Sequence, residues 1–158
     1  MKTATRKWVA KAEGDLIIAE SLLQQRSPAV NDGICFHAQQ CAEKYLKAIL
    51  QELDVRFDRT HNLVALLNQI VPHVPEWEHL RPDLAELSQF AVAFRYPGRT
   101  ADRRLARRAF RQLMRIRAAV RLRLALPHRR GAVVEARQAG RRRPAAKSQI
   151  VRSKRKST

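Results

Sequence analysis

The chain has 158 residues, of which 45% are hydrophobic, and a formal net charge of +18 at pH 7. This length suits one domain with its own core, and no stretch approaches the roughly 20 apolar residues that span a bilayer. The sequence therefore excludes a membrane-spanning protein. The N-terminal stretch has no apolar signal core, which predicts a soluble cytoplasmic protein.

Apolar residues that recur every three or four positions predict a series of helices. The predicted helices span, in chain order, residues 4–25, 32–53, 60–70, 76–94 and 100–125. Thr60 is the expected N-cap of the short third helix, and the "RYPG" stretch separates the last two helices. No strand-like run competes with these elements. The predicted fold is all-α, an up-and-down four-helix bundle with one additional short helix over residues 1–126.

The positive charge is concentrated towards the C-terminal end. Residues 1–98 carry 11 basic and 12 acidic residues, whereas residues 99–158 carry 21 and 2. Residues 127–158 have few apolar residues and no helical period, which predicts a disordered basic tail that binds nucleic acid without sequence preference. The alternative explanation of this charge is base composition, since proteins from GC-rich genomes are often rich in arginine. The sequence does not decide between nucleic-acid binding and base composition.

The second predicted helix has two different faces. Within the stretch "CFHAQQCAEKYLKAIL", a rotation of about 100° per residue places His37, Gln40 and Lys44 on one side, away from the main apolar stripe. Cys41 lies on this same polar face, so the face can hold a ligand, meet a partner helix, or simply be solvated. Gln39 falls at the edge of the apolar stripe, where its amide needs a backbone or side-chain partner.

Four stretches in this order carry a resemblance to a known family: "DLIIAESLL", "CFHAQQCAEKYLKAIL", "THNLVALL" and "FRYPG" before a helix. Over about residues 4–124 the chain resembles the HEPN domain family. The resemblance implies a four- or five-helix bundle that commonly forms homodimers and is found in prokaryotes beside minimal nucleotidyltransferases, in toxin–antitoxin or defence pairs. It also implies that some members are metal-independent ribonucleases, while others are thought to bind nucleotides.

The ribonuclease members of the family carry an Arg followed four to six residues later by a His. The corresponding residue here is Arg95, and the positions at that distance are occupied by Thr100, Ala101 and Asp102. An imidazole suits proton transfer near neutral pH, and none of these side chains replaces it easily. The chain thus resembles the branch with "RYP" in place of the nuclease motif, so we expect a binding protein and not an enzyme.

The resemblance and the polar face together define the expected site. Lys44 and Arg95 would contact a phosphate, His37 and Gln40 would form hydrogen bonds, and Tyr96 would offer a stacking surface. The expected ligand is a nucleotide or RNA, and the expected partners are a second copy of the chain and a nucleotidyltransferase. No Gly-rich phosphate loop and no His/Cys set at zinc-ligand spacing occurs, so no cofactor or metal is predicted.

Two alternatives remain open at this stage. One is a ribonuclease with a non-standard site, which uses His37 or His61 together with Arg95 contributed across a dimer. The other is an interaction protein in which only the dimer matters. On residue patterns alone, His61 is expected to support the start of the third helix, while His73 and His79 are expected on the surface next to loop prolines.

Overall fold

The computed structural model describes residues 1–57, 59–94 and 98–127, in which helices are joined by turns and irregular segments and no strand is present. The α-helices are α1 (Thr3–Gln24), α2 (Asn31–Glu52), α3 (Leu63–Ile70), α4 (Arg81–Gln89) and α5 (Arg103–Arg123). Two short 3-10 helices, Pro28–Val30 and Pro75–Leu80, precede α2 and α4. The predicted all-α class is confirmed. None of these helices is both long enough and apolar enough to cross a membrane.

Helix α2 lies at the centre of the bundle and is packed by α1, α5 and α3. α1 runs antiparallel to it, since Thr5 Oγ1 donates to Glu52 Oε2 at 2.7 Å at one end while Asp15 contacts His37 nearer the other. The largest fully buried side chains are Leu16, Ile34, Tyr45, Leu46, Ile49, Leu50, Leu63, Leu66, Leu67, Ile70, Leu84 and Leu87. Burial around nearly the whole of α2 means that its polar residues also meet neighbouring helices.

The third and fourth helices start differently from the prediction. Asn62, and not Thr60, is the N-cap of α3: its Oδ1 accepts hydrogen bonds from the backbone N–H groups of Val64 and Ala65, at 3.0 and 3.1 Å. The predicted cap at Thr60 is wrong because its hydroxyl reaches only the N–H of Asn62. The predicted helix over 76–94 is divided because Pro82 lies in the first turn of α4, where a missing N–H is tolerated and a new helix begins.

Helix α5 has an apolar face and a basic face. Ala109, Leu113, Ile116 and Val120 are fully buried. Five arginines on the outer side of the helix are exposed: Arg104, Arg107, Arg108, Arg111 and Arg115. The inner face anchors α5 on α2 and leaves a basic outer face, so part of the positive charge is built into the folded domain.

Candidate functional site

The polar face of α2 is organised by a carboxylate of α1. His37 Nδ1 lies 3.0 Å from Asp15 Oδ1, and the Lys44 ammonium donates to the other oxygen of the same carboxylate. Since a carboxylate only accepts, Nδ1 carries the hydrogen and Nε2 is left for another partner, while Lys44 keeps two further N–H groups. The side chains of His37 and Lys44 are 22% and 23% exposed, so both are fixed in place and still reachable from solvent.

The small residues beside this polar face do not form a surface for a second molecule. Cys41 and Ala48 are completely buried, because α1 of the same chain lies over them. Of the possibilities that the sequence left open, contact of these small side chains with a second molecule is excluded, since they allow the close approach of α1. Burial and the neighbouring carboxylates of Asp15 and Glu13 raise the pKa of the Cys41 thiol, which makes it unreactive.

A second polar cluster joins α2 to the segment before α3. Gln39 Nε2 donates to Glu43 Oε2 at 3.1 Å and to the His61 carbonyl at 3.2 Å, which confirms that its buried amide finds both kinds of partner. Glu43 also accepts from Lys47 at 2.8 Å and from His61 Nδ1 at 3.0 Å. Gln40 joins the cluster by donating to Gln39 Oε1 at 2.8 Å. Burial alone would raise the pKa of Glu43, but the hydrogen bonds from Lys47, His61 and Gln39 lower it.

His61 fulfils only part of its expected role. Its carbonyl does hold the junction before α3, through Gln39, but its ring is bound to Glu43 and not to the cap. The side chain is 63% exposed while that of Glu43 is only 6% exposed. A buried carboxylate thus orients an imidazole whose other nitrogen faces solvent. His73 and His79 are exposed, as expected.

A third cluster joins α1, α2 and α5, and sequence reasoning missed it. Glu13 accepts hydrogen bonds from Tyr45 at 2.5 Å, from Arg117 at 3.1 Å and from Arg121 at 2.5 Å. Burial alone would raise the pKa of Glu13, but these hydrogen bonds and the two positive charges lower it. A signal was present, because Arg117 and Arg121 fall beside the apolar stripe of α5 and not on its outer face.

Two of the five predicted site residues, Arg95 and Tyr96, lie outside the described residues. The chain that follows them is tied to the start of α2, because the backbone N–H of Ala101 donates to Asp32 Oδ1 at 2.6 Å. Next to this segment a cavity of about 530 Å³ opens between α4 and α5, lined in part by Arg99 and Arg108.

Of the three predicted site residues that the structure describes, His37 and Lys44 lie together, and Gln40 lies between them in the sequence of α2. Within the described ranges, no three His, Cys, Asp or Glu side chains are grouped as metal ligands.

Comparison with known proteins gives one match. The family model of the HEPN domain matches residues 5–123, which is most of the chain and includes all three polar clusters. No curated protein and no solved structure gives a significant match.

Proposed function

We propose that this chain, which belongs to the HEPN domain family, binds a nucleotide or RNA through a phosphate group and acts as the partner of a minimal nucleotidyltransferase. The family is nucleic-acid-related and includes toxin–antitoxin proteins, which supports a ligand and a partner of this kind. The observation that carries the proposal is the arrangement of His37 and Lys44, which Asp15 fixes side by side, with unused N–H donors on Lys44 and the unbound Nε2 of His37.

The chemistry of this arrangement suits a phosphate oxygen. An ammonium group has three donors, and only one of those on Lys44 is used by Asp15. When His37 is protonated, the two cations exceed the single carboxylate charge by one, and hydrogen bonds from charged donors to phosphate are the strong kind. In this proposal Gln40 adds a neutral hydrogen bond, Arg95 a second phosphate contact and Tyr96 a stacking surface.

Lys44→Ala tests this site. We expect a ten- to hundredfold weaker affinity for ATP, measured by isothermal titration of the full chain, because one charge-assisted hydrogen bond is worth roughly 1.5–3 kcal/mol. Lys7→Ala on the exposed side of α1 removes the same charge elsewhere and is expected to leave the affinity unchanged. Equal affinities for wild type and Lys44→Ala would disprove the site, whereas loss of the dimer would favour an interaction module.

Homodimer formation is part of the same proposal. Exposed residues of α1, and not the polar face of α2, support it. Family membership favours a dimer, and Ile17 and Ile18 on α1 are 47% and 43% exposed, which is unusual for isoleucine. This outer side of α1 replaces the buried face around Cys41 as the expected contact.

The basic tail, residues 127–158, is proposed to add binding to nucleic acid without sequence preference. Of these residues, only Pro127 belongs to the described part.

The Glu43–His61 pair favours a ribonuclease as the second candidate function. In this reaction His61 Nε2 takes the proton of a ribose 2′-hydroxyl, the 2′-oxygen bonds to phosphorus, and the 5′-oxygen leaves with a proton from another acid. His61→Gln is expected to slow cleavage of a single-stranded RNA by about a hundredfold, because a positioned base contributes at least that much. His79→Gln, on the exposed surface, is the control, and a wild-type protein that cleaves no RNA would reject this candidate.

A further inference from the structure

The arginines of α5 divide into two groups by their partners. Five of them have partners within the described part of the chain. Arg103 donates to the Leu23 carbonyl, and the others form ion pairs: Arg108 with Glu86, Arg115 with Asp83, and Arg117 and Arg121 with Glu13. Arg104, Arg107, Arg111 and Arg123 are exposed and form no ion pair or hydrogen bond with any residue that the structure describes. The first three of these, which lie close together on the helix, are called the arginine stripe below.

The arginine stripe is a compact, ordered array of charge. At about 100° and 1.5 Å per residue, its members lie within roughly 60° of one another around α5 and span about 10 Å along it. Their spacing of three and four residues makes them direct neighbours on the helix surface, where like charges repel and destabilise the helix. No carboxylate in the described ranges forms an ion pair with these three arginines, so an external anion would stabilise the array.

We propose that the arginine stripe binds the phosphate backbone of double-stranded RNA, at a site separate from the polar face of α2. A double helix is favoured over a single strand because the exposed side chains of α5 include no aromatic ring on which a base could stack. The choice of RNA over DNA rests on the proposed function.

The shape of the RNA double helix and the position of α5 determine whether binding at this site depends on nucleotide sequence. Salt bridges from Arg108 to Glu86 and from Arg115 to Asp83 fix α5 against α4. The major groove of an RNA double helix is too deep and narrow for side chains to read, so the stripe contacts the phosphate backbone, which carries no direct sequence information. Binding at this site is independent of sequence and depends strongly on salt.

The test compares salt dependence. The affinity of the full chain for a fluorescently labelled RNA duplex of about 20 base pairs is measured from 50 to 300 mM KCl, for wild type and for the triple variant Arg104→Gln, Arg107→Gln, Arg111→Gln. Each phosphate contact contributes about 0.7–0.9 to the slope of log affinity against log salt. We expect the slope of the triple variant to be shallower by about 2 to 3.

A matched control removes three positive charges from other exposed positions, as Lys7→Gln, Lys11→Gln, Arg26→Gln. Its slope is expected to change by less than about 1, because these residues lie on or after α1 and do not belong to the arginine stripe. Equal changes in the two triple variants would overturn the proposal, since only total charge would then matter. A DNA duplex of the same sequence that binds ten times more tightly would overturn the assignment to RNA.

Different measurements test the arginine stripe and the proposed ligand site on the polar face of α2. The arginine stripe variant is expected to bind ATP as wild type does, while Lys44→Ala is expected to keep the full salt slope with duplex RNA. A stripe variant that loses ATP affinity and duplex binding together, with an unchanged thermal unfolding midpoint, would show that the two surfaces are one site and overturn their separation.

Discussion

Glu13→Gln is expected to lower the free energy of unfolding by about 3–5 kcal/mol, measured by urea denaturation at pH 7. The side chains of Arg117 and Arg121 are only 7% and 6% exposed, and both form ion pairs with the Glu13 carboxylate, while the charge of Arg117 also acts on Glu20. Breaking a buried ion pair by removing one partner is costly because the remaining charge stays buried. The substitution keeps the size of the side chain, so the effect reports the lost charge and not a cavity.

Glu76→Gln is the control for this prediction. Glu76 is exposed in the 3-10 helix before α4, and the same change there is expected to alter the free energy of unfolding by no more than about 0.5 kcal/mol. If Glu13→Gln destabilises as little as the control, the cluster between α1, α2 and α5 contributes nothing to the fold. A large effect would establish that α5 is held by its arginines as well as by its apolar face.

The helices could be predicted from the sequence because their apolar residues alone specify them. Leu16, Leu46 and Leu113 recur with their neighbours at helical spacing, and burial of such side chains is the main stabilising contribution to a bundle. The boundaries were less predictable, because they depend on single side chains. Asn62 and Thr60 are both good N-cap residues, and only the path of the chain decides which of them reaches the free N–H groups.

The candidate site could be predicted only in part. His37 and Lys44 lie side by side, as a helical pattern requires, but a pattern within one helix says nothing about the helix packed against it. The carboxylate of Asp15 comes from α1, 22 residues before His37 in the chain, and it changes what that face can bind. Polar residues on the packed side of a helix, such as Glu13 and Arg117, are missed for the same reason: periodicity treats every polar residue as solvated.

Glu43→Gln is expected to lower the free energy of unfolding by about 3 kcal/mol at pH 7. Lys47 is the reason, since its side chain is only 9% exposed and the Glu43 carboxylate lies 2.8 Å from its ammonium. His61 contributes less because it is largely exposed to water. The double variant Glu43→Gln, Lys47→Met is expected to recover part of the loss, because replacing both charges by groups of similar size removes the buried unpaired ammonium.

The dependence of this effect on pH gives the sharper test. The pKa of Glu43 is lower in the folded protein than its ordinary value of 4.5, despite burial, because Lys47, His61 and Gln39 donate to the carboxylate. A lowered pKa contributes stability that is fully present above about pH 4.5 and is lost as the pH falls through the folded value. The difference in free energy of unfolding between wild type and Glu43→Gln should therefore shrink between pH 5 and pH 3 in urea titrations. A difference of the same size at pH 3 and pH 7 would contradict this account, since it would mean that shape, and not the charge of Glu43, holds the cluster together.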